Sequence, residues 1–285
     1  MSSFRVYLDG RRISDKIAFG KIRTDGIGLF ESLRTYGGKI FREDEHLDRL
    51  FESAKTSGFS LMPDRREIKA ALKKAVTAFK KERCEPDLDV FVRLTVLPEK
   101  IFVFVGERKH PPKIYEKGVS LKTSPVRRSF SNAAFPETKT SAYQNAVLAS
   151  LEKGMTQTYE WVFLDREGFV TEVRIGNLFM VKSRKHCGRF PEDFWLLTPP
   201  SWGILNGITR RLVIECALQS GIGAKEIPLM RHDIYNAREA FLTNTSWEIL
   251  PVKELDGRSI GHDVPGPVTK ILQKRLRKRI EDECL

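Results

Sequence analysis

Lys139, in the stretch FPETKTSAYQNAVLAS, has the widest chemical range of any residue in this chain. It stands between a proline-broken loop and an apolar helical run. A lysine kept partly dry in such a loop can shed its proton and attack a carbonyl carbon as an amine; an ordinary loop lysine fits the same stretch. Glu172, in FVTEVRIGNLF, closes a strand-like run and can carry a carboxylate into a site or simply mark a strand edge. NGITRRLVIECA sets Gly207 just ahead of Ile208 and Thr209, where a helix start would offer unpaired N–H groups and a hydroxyl to an anion. The same residues also read as a plain glycine–threonine cap. FLTNTSWEILPV ends a strand in Thr243, Asn244, Thr245 and Ser246, whose polar groups suit an oxyanion or a turn. Arg49, between Leu47 and Leu50 in EHLDRLF, reads by itself as a solvent-facing arginine.

These residues need a frame, and the hydrophobic pattern supplies one. FRVYLDGRRIS is a hairpin turned at Asp-Gly, and LFESLRTYGGKIF repeats the plan around Gly37-Gly38. In the second of these, Phe30, Ser32 and Arg34 fall on one face and Leu29, Glu31 and Leu33 on the other. EDEHLDRLFESAKTSG and REIKAALKKAVTAFKKE are amphipathic helices, the first stopping at Gly58. LDVFVRLTVL and IFVFVGE pair across a turn at Pro98. The basic, proline-bearing segment RKHPPKIYEKG is a linker candidate, which divides the chain into domains 1–113 and 119–285 joined by 114–118. Beyond it come a strand GVSLKTS, the Lys139 loop and its helix, a hairpin closed at Glu167-Gly168, and strands NLFMVK and FWLLT. The helix ITRRLVIECALQSG, a strand KEIPL and the strands of AFLTNTSWEILPV follow. The fold class is α/β.

With 285 residues, 41% hydrophobic and 30% charged, the chain can bury a substantial core. No apolar run approaches the roughly 20 residues that cross a bilayer, and MSSFRVYLDG has no apolar leader, so a cytoplasmic protein is expected. Cys84, Cys187, Cys216 and Cys284 form no CxxC pair, which offers neither a metal pattern nor a disulfide framework. The net charge of +12 favours anionic ligands. Much of it lies on solvated helix faces: Val268, Leu272, Leu276 and Ile280 recur every four residues and leave the basic positions of the tail opposite.

Read in order, H-x-x-R-L, K-(x)3-Y-(x)5-A, a strand-end T-E before N-L-F, T-P-P followed by G-I-T-R, and F-L-T-x-T-x-x-E-I-x-P-V resemble the fold-type-IV pyridoxal-phosphate enzymes. These are the class IV aminotransferases, which include branched-chain and D-amino acid aminotransferases and aminodeoxychorismate lyases. The resemblance covers nearly the whole chain. It implies a small N-terminal α/β domain, a larger C-terminal α/β domain, and pyridoxal 5'-phosphate as cofactor. It makes Lys139 the Schiff-base lysine and proton carrier, and Glu172 the partner of the pyridine nitrogen. Arg49, Ile208, Thr209 and Thr245 become the phosphate holders, and Tyr143 a neighbour of the ring's 3'-oxygen. Phe30, Arg93 and Ser246 are the substrate-side candidates.

The chain also departs from the family. Val173, Arg174 and Ile175 stand where many members carry small residues including a serine, and the segment across 182–194 is longer than the usual turn. VRLTVLPEKI lacks the arginine–histidine pair of the D-specific enzymes. The expected activity is transamination between an amino acid, branched-chain or similarly apolar, and a 2-oxo acid, by a homodimer without a membrane partner. A lyase releasing pyruvate from 4-amino-4-deoxychorismate is the enzymatic alternative. A basic nucleic-acid-binding protein is the alternative from another class, against which stands the lack of any RNP-like strand or zinc finger.

Overall fold

The computed structural model describes residues 4–14, 28–127, 138–140, 158–184 and 190–284. Its contacts divide the chain into two compact units. The first comprises Met1–Lys109, Thr138–Ala142 and Arg279–Leu285, and the second His110–Glu137 and Tyr143–Lys278.

In the first unit β1 (Phe4–Leu8) and β2 (Arg11–Ile13) form a hairpin whose turn residues Asp9 and Gly10 both take positive φ, 48° and 74°. β3 (Leu29–Tyr36) and β4 (Lys39–Ile40) turn at Gly37-Gly38 in the same way. Two helices follow, α1 (Glu43–Thr56) and α2 (Arg65–Arg83), then β5 (Phe91–Leu97) and β6 (Lys100–Gly106). Among the described residues the strands make a six-stranded sheet in the order β2-β1-β6-β5-β3-β4, antiparallel throughout. The alternation in β3 sends Leu29, Glu31, Leu33 and Thr35 inward and leaves Phe30, Ser32, Arg34 and Tyr36 half-exposed. Leu47, Leu50 and Ala54 of α1 and Ile68, Leu72 and Phe79 of α2 close one core with Leu29, Leu33, Val92 and Leu94. Each large aliphatic residue buried there contributes roughly 1.5–3 kcal/mol. α2 starts with a capping box: Asp64 Oδ1 accepts from Arg66 N at 2.7 Å, and Glu67 Oε2 accepts from Asp64 N at 2.9 Å.

The second unit runs α3 (Pro112–Lys117), β7 (Val119–Arg127), β8 (Glu160–Leu164), β9 (Val170–Val173), β10 (Asn177–Ser183) and β11 (Phe194–Thr198). It continues through α4 (Ile208–Gln219), β12 (Gly223–Glu226), α5 (Arg231–Tyr235), β13 (Glu239–Asn244), β14 (Glu248–Leu255) and β15 (Arg258–Ser259), before the C-terminal helix α6 (Pro267–Cys284), whose residues from Arg279 onward are counted in the first unit. Among the described residues the sheet has nine strands, ordered β12-β11-β10-β13-β14-β7-β8-β9 with β15 on β14. It is mixed: β11 with β12, β14 with β7 and β7 with β8 are parallel pairs.

Two expectations shift. The strand expected at KEIPL is found at Gly223–Glu226, because parallel pairing with β11 sets Gly223 opposite Trp195. The segment expected as a linker carries α3, whose prolines Pro111 and Pro112 occupy the positions where a helix start needs no N–H partner. The helix expected after Lys139 and the residues 185–189 lie outside the described residues. The apolar repeat of the tail is buried as its spacing requires, with Val268, Leu272, Leu276 and Ile280 all at or below 5% exposure. No helix among the described residues is long and apolar enough to cross a membrane.

Candidate functional site

The main chain around Lys139 is fastened to β3 and α1. Phe30 N donates to Lys139 O at 2.9 Å, Thr140 bridges Leu29, and Lys139 N donates to Ser53 Oγ at 3.4 Å. The ammonium Nζ lies over the Phe30 ring, 4.9 Å from its centroid, and the Arg93 guanidinium lies over the same ring at 4.0 Å. Arg93 reaches it from β5, where it pairs with Ser32 across the ladder. Phe30 is half-buried, on the face of β3 opposite the core residues Leu29 and Leu33. A ring with cations over it is an apolar wall beside positive charge, a surface that suits a molecule with an apolar body and a carboxylate.

Arg49 overturns the solvent-facing expectation, being only 7% exposed. The i, i+3 spacing on α1 places it beside His46, and both meet Glu31, the inward residue of β3. Arg49 Nε and Nη2 donate to Glu31 Oε1 and Oε2 at 2.8 and 2.7 Å, a bidentate fork, and His46 Nδ1 donates to Oε2 at 2.8 Å. Burial alone would raise the Glu31 pKa, but the Arg49 charge and the His46 and Arg49 hydrogen bonds outweigh it and hold the carboxyl far below the usual carboxylate range. Burial lowers His46; Glu31 opposes that shift, and the nearby charges of Arg49 and Lys139 add to it. Sequence reasoning assigned no role to Glu31 or to His46, the histidine of H-x-x-R-L. The available signal was the polar residue on the apolar face of β3, which requires a buried partner.

In the second unit Glu172 and Asn177, near facing ends of β9 and β10, grip one residue of the loop before α4. Glu172 Oε2 accepts from Leu205 N at 3.1 Å, and Asn177 Nδ2 donates to Leu205 O at 2.8 Å. Glu172 is 4% exposed and sits on β9, the end strand of the sheet order. α4 then begins at Gly207, with no side-chain cap and no acidic residue in its first turn. A Cβ at Gly207 would run into Asn177 Oδ1, so the glycine is required by close approach. Arg210, 1% exposed, fixes this helix start from below: Nη2 donates to Pro199 O at 2.8 Å and pairs with Glu226 Oε2 at 2.8 Å. The amides of Ile208 and Thr209 thus belong to a rigid helix N-terminus, whose positive end suits an anion.

The turn Thr245–Trp247 between β13 and β14 is set by Asn244. Its Oδ1 accepts from Ser246 N and Trp247 N at 2.8 and 2.7 Å, and its Nδ2 donates to Ile175 O at 2.9 Å. Thr245 is half-buried and Ser246 buried, while Thr243 Oγ1, at the strand end beside Asn177, is buried without a hydrogen-bond partner. His110 Nε2 stands 2.8 Å from Ser246 Oγ. Asn244 sets the turn that the sequence allowed there, Asn177 and Arg210 stood in the quoted motifs without an assigned role, and His110 escaped sequence reasoning. Arg174, one of the residues that departs from the family pattern, pairs with the buried Glu160 at 2.8 Å. Tyr143 lies outside the described residues. Lys139, Arg49, Phe30 and Arg93 belong to the first unit, and Glu172, Ile208, Thr209, Thr245 and Ser246 to the second.

Residues 28–255 match the family model for class IV amino-transferases. The chain is 33% identical, over 96% of its length and 95% of the relative's, to a Methanocaldococcus jannaschii protein with a provisional branched-chain-amino-acid aminotransferase name. It is 31% identical to the branched-chain-amino-acid aminotransferase of Pseudomonas aeruginosa, over 94% of this chain and 90% of that one. Among solved structures, a branched-chain aminotransferase from Thermoproteus uzoniensis, crystallised with norvaline, superposes with a TM-score of 0.78 at 28% identity, covering 98% of this chain and 95% of that one.

Proposed function

The chain belongs to the class IV aminotransferases, and on that footing we propose that it moves the amino group of a branched-chain or similar apolar amino acid to a 2-oxo acid with pyridoxal 5'-phosphate. The observation that carries this reading is the fixing of Lys139, strapped by its main chain to β3 and α1 with Nζ over the Phe30 ring. An amine so held is aimed before any ligand arrives, which lowers the entropy cost of its chemistry.

The donor set suits the cofactor. The start of α4 carries no side-chain cap, and Thr243 Oγ1 is a buried hydroxyl without a partner, so phosphate or ring oxygens would meet groups that need them. Arg49, the amides of Ile208 and Thr209, and the hydroxyls of Thr209 and Thr245 would hold the phosphate, with Tyr143 near the 3'-oxygen. When bound, pyridoxal phosphate supplies a carbonyl carbon that takes up amino groups and a ring that withdraws electrons from Cα. Glu172 would keep a proton on the ring nitrogen. Lys139 Nζ would anchor the cofactor and carry the Cα proton. Phe30 would form the apolar wall for the substrate side chain, with Arg93 and Ser246 toward its carboxylates. The working form in this reading is a cytoplasmic homodimer. Light scattering on the purified protein tests the homodimer.

The test is spectroscopic. Wild-type protein loaded with pyridoxal phosphate should keep a visible absorbance band after desalting, change it on adding leucine, and form glutamate when 2-oxoglutarate follows. A Lys139→Ala variant should lose all three. A wild-type spectrum indifferent to leucine would overturn the reading, and pyruvate release from 4-amino-4-deoxychorismate without an acceptor would replace it with the lyase.

A further inference from the structure

We infer that the exposed face of the C-terminal helix α6 is a docking strip for the phosphate backbone of a nucleic-acid duplex, contacted without reading its sequence. This stands apart from the transaminase reading. The strip is the run KILQKRLRK, 270–278, which carries five cations and no acid. Lys270, Lys274, Arg277 and Lys278 stand at i, i+4, i+7 and i+8, the spacing that gathers side chains on one face of a helix, with Arg275 on its flank. All five are exposed.

The helix is held with that face outward. Val268, Leu272 and Leu276, on the opposite face, are at most 1% exposed. Glu239 accepts from Val268 N and Thr269 N at 2.9 and 2.7 Å, which ties the helix start to β13. Gln273 Nε2 donates to Ile249 O at 3.1 Å, which ties its middle to β14. A partner meeting the strip therefore orders side chains only, not the element that carries them.

What separates this strip from the basic surface of α2 is the answering charge. On α2, Lys69 pairs with Asp44 at 2.6 Å, Arg65 with Asp44 at 3.3 Å, and Arg83 with Glu107 at 2.6 Å. On α6, Arg277 reaches Glu248 at 3.5 Å, while Lys270, Lys274, Arg275 and Lys278 have no ion-pair partner among the described residues. Like charges one helical turn apart repel, and a linear polyanion relieves that repulsion while releasing its own counterions.

Geometry chooses among polyanions. At a rise of about 1.5 Å per residue Lys270 and Lys278 lie about 12 Å apart along the axis. One strand of a duplex presents a phosphate about every 3.4 Å, so the strip spans roughly three or four of them. A single strand is held largely by bases stacked on aromatic side chains, and 270–278 contains no aromatic residue. A lipid surface takes up a helix by its apolar face, and that of α6 is already buried in the protein. A helix covered along one side offers its cations to phosphates rather than entering a groove to read base edges, which needs no RNP-like strand or zinc finger.

The experiment follows the fluorescence anisotropy of a labelled DNA duplex titrated with the full chain loaded with pyridoxal phosphate. For wild type, log K should fall against log salt with a slope of about −3.5, four contacts at about −0.9 each, and a duplex of unrelated sequence should bind alike. Lys270→Glu, Lys274→Glu and Lys278→Glu together should weaken binding by about a hundredfold near 0.1 M salt and remove most of that slope. Cofactor retention and the urea midpoint should not change. Glutamine at the same three positions is the milder version, to be read if the reversals disturb folding, and should still cost about tenfold. Arg66→Glu, Lys73→Glu and Lys81→Glu on α2 lower the net charge equally and should weaken binding by less than about fivefold, a long-range effect that salt screens. Equal losses from the two sets of reversals would show that net charge alone attracts DNA and would overturn the strip. So would a wild-type chain that ignores the duplex but binds phosphatidylserine vesicles through the same three lysines.

Discussion

Arg49, midway along α1, and Arg210, in the first turn of α4, are both buried arginines that answer a glutamate, yet the two pairs are built for different tasks. Arg49 faces Glu31, whose side chain is 0% exposed and which also takes a hydrogen bond from His46. Arg210 faces Glu226, whose side chain is 40% exposed, and uses another donor on the Pro199 carbonyl. In the first pair the charge is cancelled inside the core, and the guanidinium is oriented by a carboxylate that cannot be re-solvated. In the second the charge leaks to solvent through its partner, and the guanidinium chiefly ties a loop to the start of α4. Burial of the arginine is shared; burial of its counter-charge separates an orienting pair from a backbone clamp.

Removing the buried counter-charge is the severest test of that distinction. Glu31→Gln strands the Arg49 guanidinium and should cost about 4 kcal/mol, read by urea denaturation, because an unpaired charge then sits in a low-dielectric interior. It should also weaken cofactor binding, since two of the donors of Arg49 lose their fixed acceptor. A cost below about 1 kcal/mol would mean that water reaches the pair and that burial of the carboxylate decides nothing.

Arg210→Lys keeps the charge but loses the planar fork. It should cost about 2 kcal/mol through the Pro199 carbonyl and the lost second contact to Glu226. The α4 amides should lose rigidity with it, so the cofactor affinity should fall while the retained charge leaves solubility and net charge unchanged. An unchanged affinity would sever the clamp from the anion site. Glu226→Gln is the milder counterpart. Its carboxylate is lowered chiefly against the opposing pull of partial burial, by its hydrogen bond and charge contact with Arg210 and by the Ser201 amide. Glutamine keeps an acceptor for one of them, and water supplies the rest, so the loss should be about 1 kcal/mol and smaller still in high salt. Equal costs for Glu31→Gln and Glu226→Gln would erase the contrast.

How much of this was legible in the sequence follows from the range of the forces involved. Local signals did well: Asp9-Gly10, Gly37-Gly38 and Gly168 sit in the turns their conformational freedom suits, and the strict alternation of LFESLRTY sorts β3 into the two faces the structure shows. The helix beginning at Ile208 after an uncapped glycine was equally plain. What escaped depends on distant pairings. β12 begins at Gly223 because β11 runs parallel to it, a register no local pattern announces. Arg49 looked solvent-facing because its partner Glu31 lies across the sheet-helix packing, and a buried arginine is recognisable only once its counter-charge is found. His110 reads as part of a basic linker until the fold sets it against Ser246, 136 residues on.

The smallest effect distinguishing the two arginine sites is one of pH, and its sign is fixed. His46 is kept neutral by burial, with the positive charges of Arg49 and Lys139 adding to the effect and Glu31 opposing it, so its pKa in the fold lies below the ordinary imidazole value of about 6.5. Between the folded and unfolded values the unfolded chain binds more proton, so stability rises with pH there and falls as the solution is acidified. Glu31 is silent in that window: its contribution is complete above the ordinary carboxylate range and is lost only in strong acid, as pH falls through its depressed folded value. Acidification from pH 7 to 6 should therefore remove no more than about 0.7 kcal/mol through His46. His46→Asn, which retains a side-chain donor for Glu31, should flatten that part of the slope in a pH series of urea melts. Arg210→Lys should leave it intact, since the substitution does not touch the imidazole. A slope that survives His46→Asn unchanged would assign the titration to another group and leave the Glu31–Arg49 pair as insensitive to mild acid as the Arg210 clamp.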